Sequence, residues 1–78
     1  MAYYKFNNNA QNNGDHEVHV EGCRYYSQME SATDLDDHQN CQSAIALAKK
    51  YHSQVNGCAF CSPACDESQG RNIEGWSD

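Results

Sequence analysis

Two short ligand pairs, His19-x-x-x-Cys23 and Cys58-x-x-Cys61, constrain this chain more than any other feature, because together they offer one imidazole and three thiols. Structural zinc takes four such groups in a tetrahedron, commonly as closely spaced pairs that each give the metal two bonds. A closed site for one zinc ion, Zn(2+), is therefore expected from His19, Cys23, Cys58 and Cys61. The chain also needs a cross-link. It has 78 residues, and below about 70 to 80 residues one apolar core rarely supplies more than about 3 to 5 kcal/mol.

Composition supports that need. The hydrophobic fraction of 38% already counts five cysteines and five tyrosines, which leaves Val18, Val20, Met29, Leu35, Ile45, Leu47, Val55, Phe60 and Ile73, helped by Phe6, Trp76 and the tyrosines, as core candidates. No run approaches the roughly 18 to 20 apolar residues of a membrane span, and the N-terminus lacks the basic start and apolar run of a signal peptide. A soluble protein with no membrane association is expected. Eleven acidic residues against five basic ones give a formal charge of −6, which argues against nucleic acid as a partner. Phosphate binding needs clustered Lys and Arg, and Lys49-Lys50 is the only adjacent basic pair.

Along the chain, residues 3–6 are aromatic and basic, and residues 7–14 form a polar connector that ends in a strong Asn-Gly turn signal at Asn13-Gly14. Residues 15–20 alternate, with His16, Val18 and Val20 on one side and Glu17 and His19 on the other, as in a strand. Together these segments predict an N-terminal β-hairpin. Residues 24–40 read mainly as loop, with room for a short third strand near 33–35. A helix is expected from Asn40, with Cys41, Ile45, Ala48, Tyr51 or His52, and Val55 on its inner stripe, Asp36 and Asp37 at its start, Lys49 and Lys50 toward its end, and Asn56-Gly57 as its stop. Residues 58–65 read as a turn. The expected fold class is small α+β: a β-hairpin packed on one α-helix in a zinc-stabilised ββα-type module over residues 1–65, with a flexible, disordered C-terminal tail over residues 66–78.

Other readings of the same residues stay open. Cys58 and Cys61 could be a redox dithiol, but such pairs open a helix inside a βαβ unit, and this one follows a helix. The run Cys58-x-x-Cys61-x-x-x-Cys65 is short of the spacing and the fourth thiolate of an iron-sulfur site. The fourth zinc position could be His19, His16, Cys41 or Cys65; His19 is favoured because it lies four residues before Cys23 at the end of the hairpin. Glu17 or Glu21 could hold its other ring nitrogen. Cys41 on the helix stripe reads as a small buried hydrophobe, and it could instead form a disulfide with Cys65 in an oxidising compartment. Tyr3, Tyr4, Tyr25 and Tyr26 read as packing residues, with an exposed recognition patch as the alternative. Asp34, Asp36 and Asp37 lack the turn glycine and closing Glu of a calcium loop.

In order and spacing, the polar turn over residues 7–14, the His19/Cys23 pair, the alanine-containing helix through Ala44 and Ala48, and the closing Cys58/Cys61 pair resemble the Ada-like metal-binding module. That module is the N-terminal domain of methyl-phosphotriester repair proteins. The resemblance spans residues 3–65 and implies a zinc-bound small α+β fold. Residues 56–65, with Asn-Gly-Cys-x-x-Cys-x-x-x-Cys after a helix, are also similar to small cysteine-rich bacterial proteins. In the repair family the first pair carries a methyl-accepting cysteine; this chain has His19 there, so repair activity is not implied.

No catalytic triad, phosphate-binding loop or carboxylate pair emerges. The function expected is that of a non-catalytic structural-zinc module that binds another protein, one with a basic surface. A thiol redox or metal-handling protein that uses Cys58, Cys61 and Cys65 is an alternative, as is a secreted disulfide mini-protein. The odd number of cysteines favours the cytoplasm, where thiolates are free for metal; disulfides would indicate secretion.

Overall fold

Alternating residues at both ends of the first connector form two antiparallel strands, β1 (Ala2–Asn7) and β2 (His16–Val20). In the computed structural model, which describes residues 1–66, Tyr4 pairs with Val20, Lys5 with His19 and Phe6 with Val18. Because side chains alternate across a strand, Tyr4, Phe6 and Val18 share one face of the sheet and Lys5 and His19 the other. The connector is closed by backbone bonds from Gln11 N to Asp15 O at 2.9 Å and from Gly14 N to Gln11 O at 2.8 Å. Gly14 has φ +92° there, a left-handed conformation open to glycine at little cost.

The third strand is longer than the short segment expected. β3 (Ala32–His38) pairs antiparallel with the outer side of β1. Its register slips between Tyr4, opposite Asp36, and Lys5, opposite Asp34, so Leu35 is the extra residue of a β-bulge. Asp36 takes φ 66°, and its N–H bonds the Asp34 carboxylate at 3.0 Å. The bulge delivers Leu35 to the core with no exposed surface. Asp34, Asp36 and Asp37 remain exposed along this edge strand, where charge opposes pairing with another sheet.

The helix α1 (Cys41–Ala48) starts where expected, with the Asn40 side chain accepting from Ser43 N at 2.9 Å. Cys41, Ala44 and Ala48 form its buried stripe. Two expectations about the helix are corrected. Asp36 and Asp37 belong to β3, so they do not act on the helix dipole. The helix also ends at Ala48, well before Asn56-Gly57, because Tyr51 and His52 turn back to set their rings against Phe6 at 5.6 and 5.4 Å. Val55, Asn56 and Gly57 are then a strand rather than a helix stop: β4 (Val55–Gly57) runs parallel to β2, with His16 opposite Val55 and Val18 opposite Gly57. The sheet order is β3-β1-β2-β4.

The core on the helix side comprises Tyr4, Phe6, Val18, Leu35, Cys41, Ala44, Ala48 and Val55. Tyr4 thus packs, while Tyr3 is half exposed. A short 3-10 turn, η1 (Pro63–Cys65), returns the chain to α1, where Cys65 forms a disulfide with Cys41. Its approach demands a glycine at 57, since a Cβ there would lie 2.7 Å from Cys65 Cβ. Asp66, at the start of the expected tail, is buried and accepts from Asn56 Nδ2 at 3.1 Å. The rest of the expected tail, residues 67–78, and Trp76 with it, lies outside the described residues.

Candidate metal centre

Parallel pairing of β4 with β2 brings the two ligand pairs together. Val18 and Gly57 stand opposite each other, and Cys58 N donates to Val18 O at 3.0 Å. The residues that follow, His19 on one strand and Cys58 on the other, therefore leave the ladder side by side. Two turns bring in the remaining ligands. Cys23 N bonds Val20 O at 3.0 Å after the hairpin, and Ser62 N bonds Cys58 O at 2.8 Å around the Cys58–Cys61 turn.

The ligand atoms of His19, Cys23, Cys58 and Cys61 all lie within 4.8 Å of one another. His19 Nδ1 is 3.8 Å from Cys23 Sγ and 3.9 Å from Cys61 Sγ. Bonds of about 2.3 Å to sulfur and about 2.0 to 2.1 Å to nitrogen place tetrahedral donors about 3.6 to 3.8 Å apart, so the separations suit one ion at the centre. The structure brings together the four residues expected as ligands. It separates the competitors: His16 bonds Asn7 O through Nδ1 at 2.9 Å and stacks on His52, His38 bridges Ser43 Oγ and Leu35 O, and Cys41 and Cys65 bond each other.

The surroundings tune each donor. His19 is only 3% exposed, and burial pushes its pKa down, toward the neutral imidazole that a metal requires. Its Nε2 lies 3.3 Å from Glu17 Oε1. A neutral ring that carries its proton on Nε2, the nitrogen nearer Glu17, keeps the Nδ1 lone pair for the sulfurs of the cluster. Burial in turn raises the Glu17 carboxyl, opposed by a 2.8 Å bond from Gln11 Nε2. Burial also pushes the Cys61 thiol up to about 12, against the lowering effect of a 3.4 Å bond donated by Val20 N; the Cys23 and Cys58 thiols add to the rise. A metal ion bound here would take the place of the thiol protons, which couples ligation to proton release.

Fold and site together define a small α+β protein with a Cys3His cluster able to hold a metal ion. Comparison with protein-family profiles, with curated proteins and with solved structures finds no match. Among the described residues no helix is long and apolar enough to cross a membrane. One contributor to the site lay beyond sequence reasoning: β4, whose three residues carry no periodicity, and which sets Cys58 beside His19. The sole signal was Val55 two residues before Gly57, a spacing compatible with an extended segment.

Proposed function

We propose that this protein is a structural-zinc module that presents a rigid surface to another protein and performs no reaction at the metal. The observation that carries the reading is the convergence of four protein donors from two distant segments within 4.8 Å. All four tetrahedral positions belong to the chain, which leaves none for the water of a catalytic site. Zinc is the ion favoured by three thiolates and one imidazole in that geometry. With a neutral His19 the loaded centre carries a charge of −1, which adds to the formal charge of −6 and favours a partner with a basic surface. The order of hairpin, His-x-x-x-Cys, helix and Cys-x-x-Cys supports kinship with Ada-like modules in which zinc has kept only its structural role.

The Cys41–Cys65 disulfide favours a second reading of the compartment: an oxidising one, the alternative to the cytoplasm. Ligation would then keep Cys23, Cys58 and Cys61 out of disulfide exchange. Elemental analysis of the purified chain tests the main reading, with one zinc per chain expected and loss of circular dichroism on chelation. A reduced chain that keeps its fold with no bound metal would overturn it. Intact mass before and after reduction tests the compartment reading, with a gain of about two hydrogens expected for one bridge.

A further inference from the structure

Beside the candidate metal centre lies a cleft of about 450 Å³ whose walls include Glu17, His19, Tyr25 and Phe60, together with Gln11 and Gln28. Among the described residues its lining includes no lysine or arginine, and Glu17 is its one acidic member. Phe60 is 71% exposed, yet it is not free to collapse inward, because it sits in the turn between the two ligands Cys58 and Cys61. Its ring lies 5.7 Å from that of Tyr25, which in turn lies 5.7 Å from His19. An exposed aromatic held in place by a metal turn is preorganised for contact, since little freedom remains to be lost on binding.

The chemistry of this surface selects cations. Arg24 already sets its guanidinium 5.2 Å from the Tyr25 ring and 6.0 Å from the Phe60 ring, and the Lys5 ammonium sits 4.7 Å over Tyr26 of the same loop. These rings therefore accept cations within the molecule itself. Glu17 places its carboxyl group in the cleft, and a zinc-loaded centre beside it would add a net negative charge. We infer that this cleft is a docking site for a lysine or arginine side chain of a protein partner. The cationic head meets Glu17, its aliphatic stem lies along Met29 and the aromatic wall, and the overall charge of −6 steers the partner in. The inference deepens the structural-zinc reading and rests on it.

The test is a titration of the zinc-loaded, disulfide-intact full chain, followed by amide NMR, with an acetylated and amidated Gly-Lys-Gly-Lys-Gly peptide. Saturable shifts are expected at residues 17–19, 25 and 58–61, weakening as salt rises. They should be absent when both lysines carry an N-acetyl group. Phe60→Ala should weaken binding roughly threefold and Glu17→Gln roughly fivefold; Phe60→Ala leaves every ligand in place and so serves even if Glu17→Gln loads poorly. Equal response to the acetylated peptide, no saturable response, or shifts confined to the Asp34, Asp36 and Asp37 edge would overturn the inference. Zinc content of the same samples separates the two readings. Full loading without a peptide response sinks the docking site alone, whereas a chain that takes up no zinc sinks the structural-metal reading and the docking site with it.

Discussion

The two faces of the sheet are stabilised by different physics. On one face Phe6, Val18 and Leu35 pack against Ala44 and Ala48, and the Cys41–Cys65 bond pins the helix to the returning chain. Among the described residues the other face offers His19, Lys5 and half-buried Tyr25 and Tyr26, and the ligand turns close it. Burial of apolar area stabilises the first face in proportion to the area covered. Four bonds to one ion would stabilise the second with almost no area at all. A chain with so few aliphatic residues can thus form a sheet covered on both sides.

Breaking the metal side should produce the larger loss. Structural zinc contributes apparent binding energies of about 10 to 16 kcal/mol in small metal-dependent peptides, comparable to the whole stability of an ordinary domain. Cys58→Ser or Cys61→Ser should therefore abolish zinc uptake and leave no cooperative thermal transition, as elemental analysis and circular dichroism would read. A variant that melts normally without metal would show that the helix side alone carries the fold.

The alkaline range separates the two sides without mutation. In the metal-free chain Cys61 is raised from 9.0 to about 12, so the folded state holds a proton that the unfolded chain releases. That contribution is fully present below pH 9 and is lost as pH rises toward 12. Zinc removes the proton and with it the loss, so the loaded chain should keep its stability over this window. Acid acts the other way. His19 is lowered from 6.5, so its contribution is present above pH 6.5 and is lost as pH falls through the depressed value, in step with release of zinc. Denaturant midpoints of the zinc-loaded chain, flat through the alkaline window and falling together with zinc content in acid, check both.

On the helix side, Cys41→Ser removes a bond that closes a 24-residue separation. It should cost about 3 to 4 kcal/mol by the chain-entropy relation, and zinc stoichiometry should not change. The sequence offered both a buried hydrophobe and a disulfide partner at this position, and thiol proximity decides for the second. Smaller still, Gly57→Ala should cost about 1 to 3 kcal/mol by overpacking, because the new Cβ meets Cys65 at 2.7 Å. Being in β4, it should disturb both faces, so a weaker zinc affinity should accompany the lower melting point. Asp36→Val should cost about 1 to 2 kcal/mol at its left-handed φ, Asp36→Gly nothing, and neither should alter metal binding; denaturant melts with a zinc competition assay would show it.

What could be read from residues alone follows the range of the signals. The hairpin, the helix start at Asn40 and the ligand pairs are local patterns, and His19, Cys23, Cys58 and Cys61 do converge. The bulge at Leu35 and the strand at Val55–Gly57 were not legible, because each depends on pairing with residues far away. Asn56-Gly57 carries the same letters as a helix stop, and only its partner strand reveals it as extended. The Asp36-Asp37 pair likewise matches a helix start, yet the left-handed turn at Asp36 keeps both in β3.

The parallel ladder between β2 and β4 carries a final consequence. Val18 opposite Gly57 fixes the gauge at which His19 and Cys58 emerge, so a residue inserted between Val55 and Cys61 would throw the donors out of reach. The stretch over residues 24–31 bears no such duty. It can lengthen, shorten or exchange its aromatics while the clasp stays shut, which gives evolution or an engineer a replaceable rim on a fixed mount.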